Sequence, residues 1–300
     1  MLKKLKKGLK NPRLFVLGAL FLVARLIPDK LYLSIYYRLN MRKQLDWSDL
    51  QTYNEKLQWL KIYNRKPEMT EMVDKDQAKR YVAERIGEEY IIPTLGIYDS
   101  VEDIDFDALP NQFVLKCTHD SGGIVICTDK SGLDKDAARK KLRKFLKRGY
   151  FWLNREWPYK HVPRRIIAEQ YMVDESGYEL KDYKFFCFDG EPKALFIATD
   201  RGRKDEETKF DFFDMDFNHL PVKNGHPNSP RPIACPPGFE KMKELAAKLS
   251  QGQPHVRVDF YDINGKVYFG ELTFYHWSGV VPFDPEEWDY TFGSWIKLPI

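Results

Sequence analysis

The sequence predicts an α+β fold rather than a doubly wound α/β fold. Two pairs of strand-like segments are joined by short turns, at 189–191 and at Asn264-Gly265, and Asn-Gly is the strongest short-range hairpin signal. Helical patterns lie between the strands without the regular strand–helix alternation of a parallel sheet. With 300 residues, of which 43% are hydrophobic, the chain can bury a large core.

The predicted elements follow from hydrophobic spacing. Apolar residues at helical spacing predict helices over 52–64, 74–86, 134–148 and 237–250. Proline-containing residues 203–235 show no clear periodicity and predict a loop. Extended segments rich in β-branched and aromatic residues are predicted at 90–98, 112–118, 124–128, 165–172, 182–188, 192–199, 255–262 and 266–274.

Charge is distributed unevenly along the chain. Residues 1–43 contain eleven Lys or Arg and one acid, a net charge of +10, whereas the other 257 residues hold 37 basic and 43 acidic side chains, a net charge of −6. A nucleic-acid-binding protein would carry its basic charge on the folded body, so we expect no nucleic-acid partner. The four cysteines form no CxxC pair, and a reducing, cytoplasmic compartment is expected.

The basic N-terminal segment contains an apolar run over residues 14–24, which Arg25 interrupts. The run is too short for a bilayer span, which needs about 20 apolar residues. We favour an amphipathic helix within residues 1–27 that lies on the inner face of the cytoplasmic membrane. A terminal helix docked on the body and a signal peptide are the alternatives.

The last hairpin carries a pair of carboxylates. Alternate residues of a strand share a face, and the turn at 264–265 places Asp259 near the level of Glu271. Two acids beside an arginine are costly to bury unless they bind a cation, and hard oxygen ligands favour Mg²⁺. A surface salt-bridge ladder is the alternative. The side chains expected on the shared face are Arg257, Asp259, Tyr261, Phe269, Glu271 and Thr273.

Two further segments contain polar groups at strand ends. Lys116 closes an apolar strand and is followed by a turn containing Ser121, Gly122 and Gly123, whose backbone N–H groups can approach phosphate oxygens. A plain turn is the alternative, and no Walker or GxGxxG sequence is present. Glu169 lies at the end of another predicted strand, so it is either functional or an exposed strand terminus.

Four segments, in this order, resemble the TupA-like ATP-grasp family: DKxxxKRYVxxxIG (74–87), the run at 98–116, DYKFFCFDGEPK (182–193) and DFYDINGKVYFGELTFY (259–275). The resemblance covers roughly residues 50–299. It implies an ATP-grasp fold, in which two α+β subdomains clasp ATP, preceded by N-terminal helices. Expected boundaries are a helical N-terminal segment at 1–45, a pre-grasp region at 46–110, a lysine and glycine-loop subdomain at 111–165, and a C-terminal subdomain with the metal hairpin at 166–300.

The resemblance also implies roles for individual residues. Lys75, at the start of its helix, and Lys116 would contact ATP phosphates, and Ser121, Gly122 and Gly123 would close over the β- and γ-phosphates. The backbone of a hinge, Glu169, Gln170, Tyr171 and Met172, would read adenine, and Asp182 would meet the ribose hydroxyls. Asp259, Glu271 and Thr273 would hold Mg²⁺, and Arg257 would neutralise an oxyanion. Lys184 and Arg201 would face the nucleotide.

Thr273 departs from the superfamily pattern, which often has Asn at that position; a hydroxyl is a poorer ligand, which leaves the number of Mg²⁺ ions open. The implied activity is ligation of a carboxylate to an amine through an acyl phosphate, with ATP and Mg²⁺ as cofactors. Family members are associated with bacterial surface-polysaccharide synthesis, which points to a uronic-acid or amino-acid carboxylate and a sugar-linked acceptor.

Two other functions compete with a ligase. A glycosyltransferase would use a DxD motif such as Asp214-Met215-Asp216, although DxD occurs five times in this acid-rich chain. A non-catalytic carbohydrate-binding protein would use the aromatic stretch at 150–159 as a sugar platform. We expect that stretch to pack inside the protein instead.

Overall fold

The computed structural model describes residues 12–177, 179–201 and 206–299, so the lysines at positions 3 to 10 lie outside it. The described chain is built around two antiparallel sheets, which confirms the predicted α+β class. The helices are α1 (Pro12–Leu22), α2 (Asp29–Met41), α3 (Tyr53–Tyr63), α4 (Glu68–Val73), α5 (Gln77–Ile86), α6 (Lys135–Leu146), α7 (Tyr150–Asn154), α8 (Phe239–Leu249) and α9 (Glu287–Trp295).

The first sheet has four strands: β1 (Thr94–Tyr98), β2 (Phe113–Cys117), β3 (Ile124–Cys127) and β4 (Ile166–Gln170). Their order is β1-β4-β2-β3, and every neighbouring pair is antiparallel. Helix α6 covers one face of this sheet, because its buried Ala138 and Leu142 join the cluster that contains Phe113 and Leu115. The turn between β2 and β3 therefore extends from a well-packed lobe.

The second sheet contains six strands in the order β11-β10-β5-β6-β7-β8. Helix α8 packs on one face, where Phe239 stacks on Phe185 of β5. On the other face, Phe186 packs against Tyr53 of α3 and Phe292 of α9. The strands of this sheet are β5 (Asp182–Phe188), β6 (Glu191–Thr199), β7 (Lys209–Phe213), β8 (His219–Leu220), β10 (Val256–Ile263) and β11 (Lys266–Thr273). Two further short strands, β9 (Lys223–Asn224) and β12 (Phe283–Asp284), pair only with each other.

A β-bulge at Gly270 corrects one prediction about the last hairpin. Asp259 pairs with Glu271 as expected, but the next pair is Phe260 with Phe269, so the register shifts by one residue. Phe269 therefore lies on the opposite face from Glu271. The bulged position favours glycine, since a Cβ there would lie 3.0 Å from the backbone oxygen of Asp259.

Two other segments differ from the sequence prediction. Residues 203–235 were predicted as a loop, but Lys209–Phe213 forms β7, because Phe210 and Phe212 bury one face of this short strand. The helix predicted over 74–86 begins at Gln77. Lys75 therefore lies in the turn before α5 rather than in the helix.

The N-terminal helices are attached to the body by a buried arginine. The Nε atom of Arg155 lies 2.7 Å from Oδ1 of Asp29, and its Nη1 donates to the carbonyl of Trp152 at 3.1 Å. The guanidinium also covers the ring of Tyr32. Because burying a guanidinium requires paired acceptors, these contacts fix α2 against the segment around α7. The aromatic residues at 150–159 pack in this junction, as expected.

Candidate active site

Charged side chains are concentrated on one face of the second sheet, where β5, β10 and β11 are adjacent. Lys184 pairs with Asp259, and Asp259 pairs with Glu271, so the three side chains share a row across the strands. The Nζ atom of Lys184 contacts Asp259 and lies 3.2 Å from Oδ1 of Asp182. Arg201, beyond the end of β6, contacts the same Asp182 carboxylate. The sheet therefore brings together residues that are 89 positions apart, from 182 to 271.

Arg257 is the centre of this cluster. Its Nε and Nη2 atoms each donate to the Asp259 carboxylate at 2.7 Å, a bidentate pair. Nη2 also donates to Glu271 Oε1 at 3.1 Å and to Thr273 Oγ1 at 3.0 Å. Asp259 is fully buried, so this pairing is needed to keep its charge in the protein interior.

A second layer of residues orients Arg257. Its Nη1 donates to Nδ1 of His276 at 2.7 Å, and Nε2 of His276 lies 2.9 Å from Oδ1 of Asn224. Since Nδ1 accepts, the ring proton is on Nε2 and is donated to Asn224. Burial and the charge of Arg257 lower the pKa of His276 well below its usual range, so the imidazole stays neutral.

Glu271 is the most accessible carboxylate of the cluster, with 42% of its side chain exposed. Partial burial would raise its pKa, but the charges of Lys184, Arg257 and Lys75 and a hydrogen bond from Thr273 hold the pKa at about 2. The Thr273 hydroxyl donates to Glu271 Oε1 at 3.2 Å. It therefore orients the carboxylate directly.

The first sheet contributes a separate ion-pair cluster. The Nζ atoms of Lys79 and Lys116 each lie 2.6 Å from a different oxygen of Glu169. Burial alone would raise the pKa of Glu169, but the two lysines hold it at about 2. The side chain of Glu169 is thus the counter-ion of two lysines, rather than an exposed strand terminus.

The glycine turn after β2 closes toward Lys75. The Nζ atom of Lys75 donates to the carbonyl of Asp120 at 3.0 Å. Gly123 must be glycine, because a Cβ would lie 2.8 Å from Sγ of Cys117. Ser121 and Gly122 are exposed at the tip of the turn.

The two clusters face each other. The charge of Lys75 helps to lower the pKa of Glu271. Tyr261, on the same face as Asp259, is influenced by Arg201 and Glu271 from its own sheet and by Glu169 from the other, although burial is the main cause of its raised pKa. Between the sheets, Gln170 ends β4, and Tyr171 and Met172 continue without regular structure.

The DxD segment at Asp214 and the cavity beside α5 and α8 do not belong to this site. The Asp214 carboxylate accepts hydrogen bonds from the backbone N–H groups of Asp216 and Asn218, so this DxD segment stabilises the turn between β7 and β8. Within the described residues, no group of three or more His, Cys, Asp and Glu side chains is arranged to hold a metal ion. A cavity of about 480 Å³ beside α5 and α8 contains none of the predicted site residues.

Two facing α+β lobes, one with lysines and a glycine turn and the other with paired carboxylates, are the architecture expected of an ATP-grasp protein. A family model described as TupA-like ATPgrasp matches residues 55–297. The chain belongs to this family, which confirms the resemblance found in the sequence. ATP-grasp ligases use ATP and Mg²⁺.

Solved structures with similar folds include ligases, all at low sequence identity. The ATP-grasp ligase PsnB, complexed with minimal precursor, Mg and ADP, shares 10% identity over 73% of this chain and 57% of its own, with a TM-score of 0.41. The D-alanine–D-alanine ligase from Bacillus anthracis, complexed with ATP, shares 15% identity over 67% and 53%, with a TM-score of 0.38. The chain therefore spans just over half of each of these proteins. Among curated proteins no match was found.

Three residues of the site were missed by the sequence analysis. Lys79 lies four residues after Lys75 and was part of the family motif, so its spacing was a usable signal. His276 and Asn224 gave no such signal, because His276 meets Arg257, and Asn224 meets His276, only in the folded chain.

The Glu169 ion pairs lead to a prediction about acid stability. The pKa of Glu169 in the folded protein, about 2, is below its ordinary value of 4.5. Its stabilising contribution is therefore complete above pH 4.5 and is lost as the pH falls toward 2. We expect Glu169→Gln to lower the free energy of unfolding by about 3 kcal/mol at pH 7 and to weaken its dependence on pH below 4.5. Urea unfolding at a series of pH values measures both effects.

Glu102→Gln is the matched control, because Glu102 pairs with Arg143 on the surface and exposed pairs contribute little. Equal stability losses in the two variants would show that the buried cluster has no special role.

Proposed function

We propose that the protein is an ATP-dependent carboxylate–amine ligase. The observation that supports this proposal most directly is that the charge of Lys75, on one lobe, acts on Glu271, which is paired with Asp259 on the other lobe. A nucleotide triphosphate bears several negative charges and needs cations on one side. A metal ion that neutralises it on the other side needs carboxylates.

We assign the phosphate-binding groups to the first lobe. Lys75 and Lys116 would contact the phosphates, and the exposed backbone of Ser121 and Gly122 would close over them. The segment from Glu169 to Met172 would contribute its backbone to adenine binding, and Asp182 would meet the ribose. In this assignment Glu169 also orients Lys116 through their ion pair.

The carboxylates of the second lobe fit Mg²⁺ that arrives with a nucleotide. Mg²⁺ is usually bound by one or two carboxylates, with phosphates and water completing its shell. Glu271 is accessible and ionised, and Asp259 lies opposite it, so these two residues would hold the ion. When bound, the metal would neutralise charge that develops on the transferred phosphoryl group. Because Thr273 supports Glu271 through a hydrogen bond, we assign it an orienting role.

The charge balance of the cluster explains why nucleotide and metal would bind together. Three acids, Asp182, Asp259 and Glu271, are opposed by three cations, Lys184, Arg257 and Arg201. The cluster is therefore neutral as a whole and offers little attraction to a free divalent cation. Phosphates would give Lys184 and Arg201 a new partner, which would release carboxylate oxygens for the metal.

The proposed reaction has two steps. A carboxylate oxygen of the substrate attacks the γ-phosphorus of ATP, forming an acyl phosphate and releasing ADP. An amine then attacks the acyl carbon, loses a proton, and phosphate leaves as the amide forms. Arg257, held by His276 and Asp259, would neutralise the oxyanion of the tetrahedral intermediate; removing such a donor typically costs roughly 10²–10³ in rate.

The substrate we propose is a uronic-acid or amino-acid carboxylate used in bacterial surface-polysaccharide synthesis, with a sugar-linked acceptor. This assignment rests on the family. The internal use of Asp214 disfavours the glycosyltransferase alternative, and the packing of residues 150–159 against the N-terminal helices disfavours a sugar platform there.

We expect ATP with Mg²⁺ to stabilise the protein strongly, because ligand at about 100 times its Kd adds about 2.7 kcal/mol. Thermal unfolding with ATP·Mg²⁺, with ATP and EDTA, and with UDP-sugars measures this. Glu271→Gln should lose the Mg²⁺-dependent part of the shift, whereas Glu191→Gln, an exposed acid on β6, should keep it. Measuring ADP release with a panel of amino acids and uronic acids then identifies which carboxylate is the substrate. Stabilisation by UDP-sugars alone would contradict a ligase.

We propose that the ligase acts at the inner face of the cytoplasmic membrane. No helix within residues 12–177, 179–201 and 206–299 has the length and apolar character to cross a bilayer. Helix α1 packs on α2 through Leu20 and Ala24, so the docked arrangement is present, yet its outer face is left apolar. The exposed apolar residues are Leu14, Phe15, Val16, Phe21 and Leu22 of α1, Val23 and Leu26 after it, and Leu31 of α2.

Basic residues lie next to this apolar segment in the sequence. Arg13 and Arg25 flank it, and five lysines occur in the first ten residues of the sequence. Apolar side chains inserted at the lipid boundary, with basic residues near anionic headgroups, are the features of an interfacial helix. An anionic membrane surface is therefore the partner that this face fits best.

Binding to lipid vesicles tests this surface. We expect the full chain to co-sediment with vesicles containing phosphatidylserine and much less with phosphatidylcholine alone, because each basic residue near the surface adds about fivefold. Substituting Phe15, Leu22 and Leu26 by Glu should abolish binding, whereas Ile126→Glu, at an exposed apolar site on β3, should not. Unchanged sedimentation of the triple variant would contradict the proposal.

A further inference from the structure

Helix α6 carries a row of lysines on the side that faces away from its sheet. Lys140, Lys144 and Lys147 recur at intervals of four and three residues, so they share one side of the helix. Lys147 directly follows the helix and keeps a helical backbone conformation. Lys141 lies next to this row, and all four lysines are exposed. The opposite side of α6 contains the buried Leu142, which packs on the first sheet. These four residues are called the lysine row.

The lysine row has no acidic partners in the part of the chain that the structure describes. The ion pairs of α6 and of the residues after it involve other cations. Helix α8 shows the opposite pattern, because each of its three lysines pairs with a glutamate three or four residues away, as Lys241 does with Glu244. Like charges at these spacings destabilise a helix, and the helix dipole favours cations only in the last turn. The stability of α6 therefore does not account for Lys140 and Lys141.

The end of α6 meets the segment that continues α1. Arg25 lies over the ring of Trp152 in α7, 5.5 Å from the ring centroid. Gly149, the residue before α7, approaches the same indole so closely that a Cβ would lie 3.0 Å from it. Arg164 lies here too, because its Nη1 donates to the carbonyl of Leu146 at 3.4 Å. Arg25 and Arg164 are both exposed, so further cations are present where the two segments meet.

Helix α6 also supports the glycine turn. A Cβ on Gly122 would lie 3.3 Å from the ring of Phe145, and a Cβ on Gly123 would lie 2.9 Å from the Cβ of Phe145. Nη1 of Arg148, just after the helix, lies 3.4 Å from the carboxylate of Asp120 in the turn. Whatever binds the outer side of α6 is therefore one helix away from the turn assigned to the phosphates.

We propose that the lysine row is a second membrane contact, which binds anionic phospholipid headgroups while the apolar side chains of α1 enter the lipid boundary. This inference rests on the proposed membrane association and extends it from the N-terminal helices to the first lobe. A soluble acidic polymer would also attract lysines, but it would leave the adjoining apolar side chains without a partner. An anionic bilayer provides a partner for both.

Charge removal on α6 tests the contact. The variant replaces Lys140, Lys144 and Lys147 of the full chain by Gln, which keeps the helix propensity similar. We expect it to bind phosphatidylserine vesicles about 100-fold more weakly than the unmodified protein, because each basic residue near the surface contributes about fivefold. In 1 M salt, where the Debye length is about 3 Å, the difference should disappear. Co-sedimentation over a range of lipid concentrations measures both effects.

The matched control removes the same charge from another exposed helix. Replacing Lys241, Lys243 and Lys248 of α8 by Gln should change vesicle binding less than twofold, because these lysines are paired and lie on the other lobe. Equal weakening in the two variants would show that only net charge matters, and unchanged binding of the α6 variant would show that α6 does not touch the membrane. Either result overturns the proposal.

Polygalacturonate is the probe that separates a membrane from an acidic polymer. If the α6 variant binds vesicles normally but loses binding to polygalacturonate, the lysine row serves a polymer and the membrane contact is wrong. Thermal stabilisation by ATP·Mg²⁺ should be equal in the unmodified protein and in both variants. Absence of that stabilisation in the unmodified protein would overturn the ligase function, whereas the vesicle result would still decide the role of α6.

Discussion

The site depends on the compensation of the buried Asp259 carboxylate by cations of the same sheet. Asp259 is fully buried, and Arg257 and Lys184 occupy both of its oxygens. Removing either partner would leave a charge in the protein interior, which is far more costly than a surface charge. The strand pairing that puts residues 184, 259 and 271 in one row, and the bulge at Gly270 that keeps Glu271 on that face, both serve this arrangement.

In the first lobe, opposite charges also compensate each other, but there one carboxylate is shared by two cations. This single carboxylate, Glu169, is the counter-ion of two lysines, Lys79 and Lys116. Each lobe thus satisfies its own charges when no ligand is bound. A polyanion that carries a divalent cation is the ligand able to exchange partners with both lobes at once, because it brings negative charge for the lysines and positive charge for the carboxylates.

The sequence predicted the fold class, the hairpins and most of the site, because these depend on local patterns and on motifs that are contiguous in the chain. That Asp259 lies near the level of Glu271 followed from the position of the Asn264-Gly265 turn, although their direct pairing depends on the bulge at Gly270. The face of Phe269 did not, since a bulge changes register without any change in periodicity. Strand β7 was missed because five residues give too little alternation to stand out between prolines. His276 reaches Arg257, and Asn224 reaches His276, only in the folded chain. The domain boundaries and the individual ligand contacts stay predictions.

A crystal structure with Mn²⁺ and a non-hydrolysable ATP analogue tests the central claim most directly, because the anomalous signal of manganese locates the metal independently of the fold. Our account predicts a peak between the carboxylates of residues 259 and 271, with the triphosphate reaching Lys75 and Lys116 and with Lys184 no longer confined to Asp259. A nucleotide bound elsewhere, or a metal without contact to either carboxylate, would contradict it.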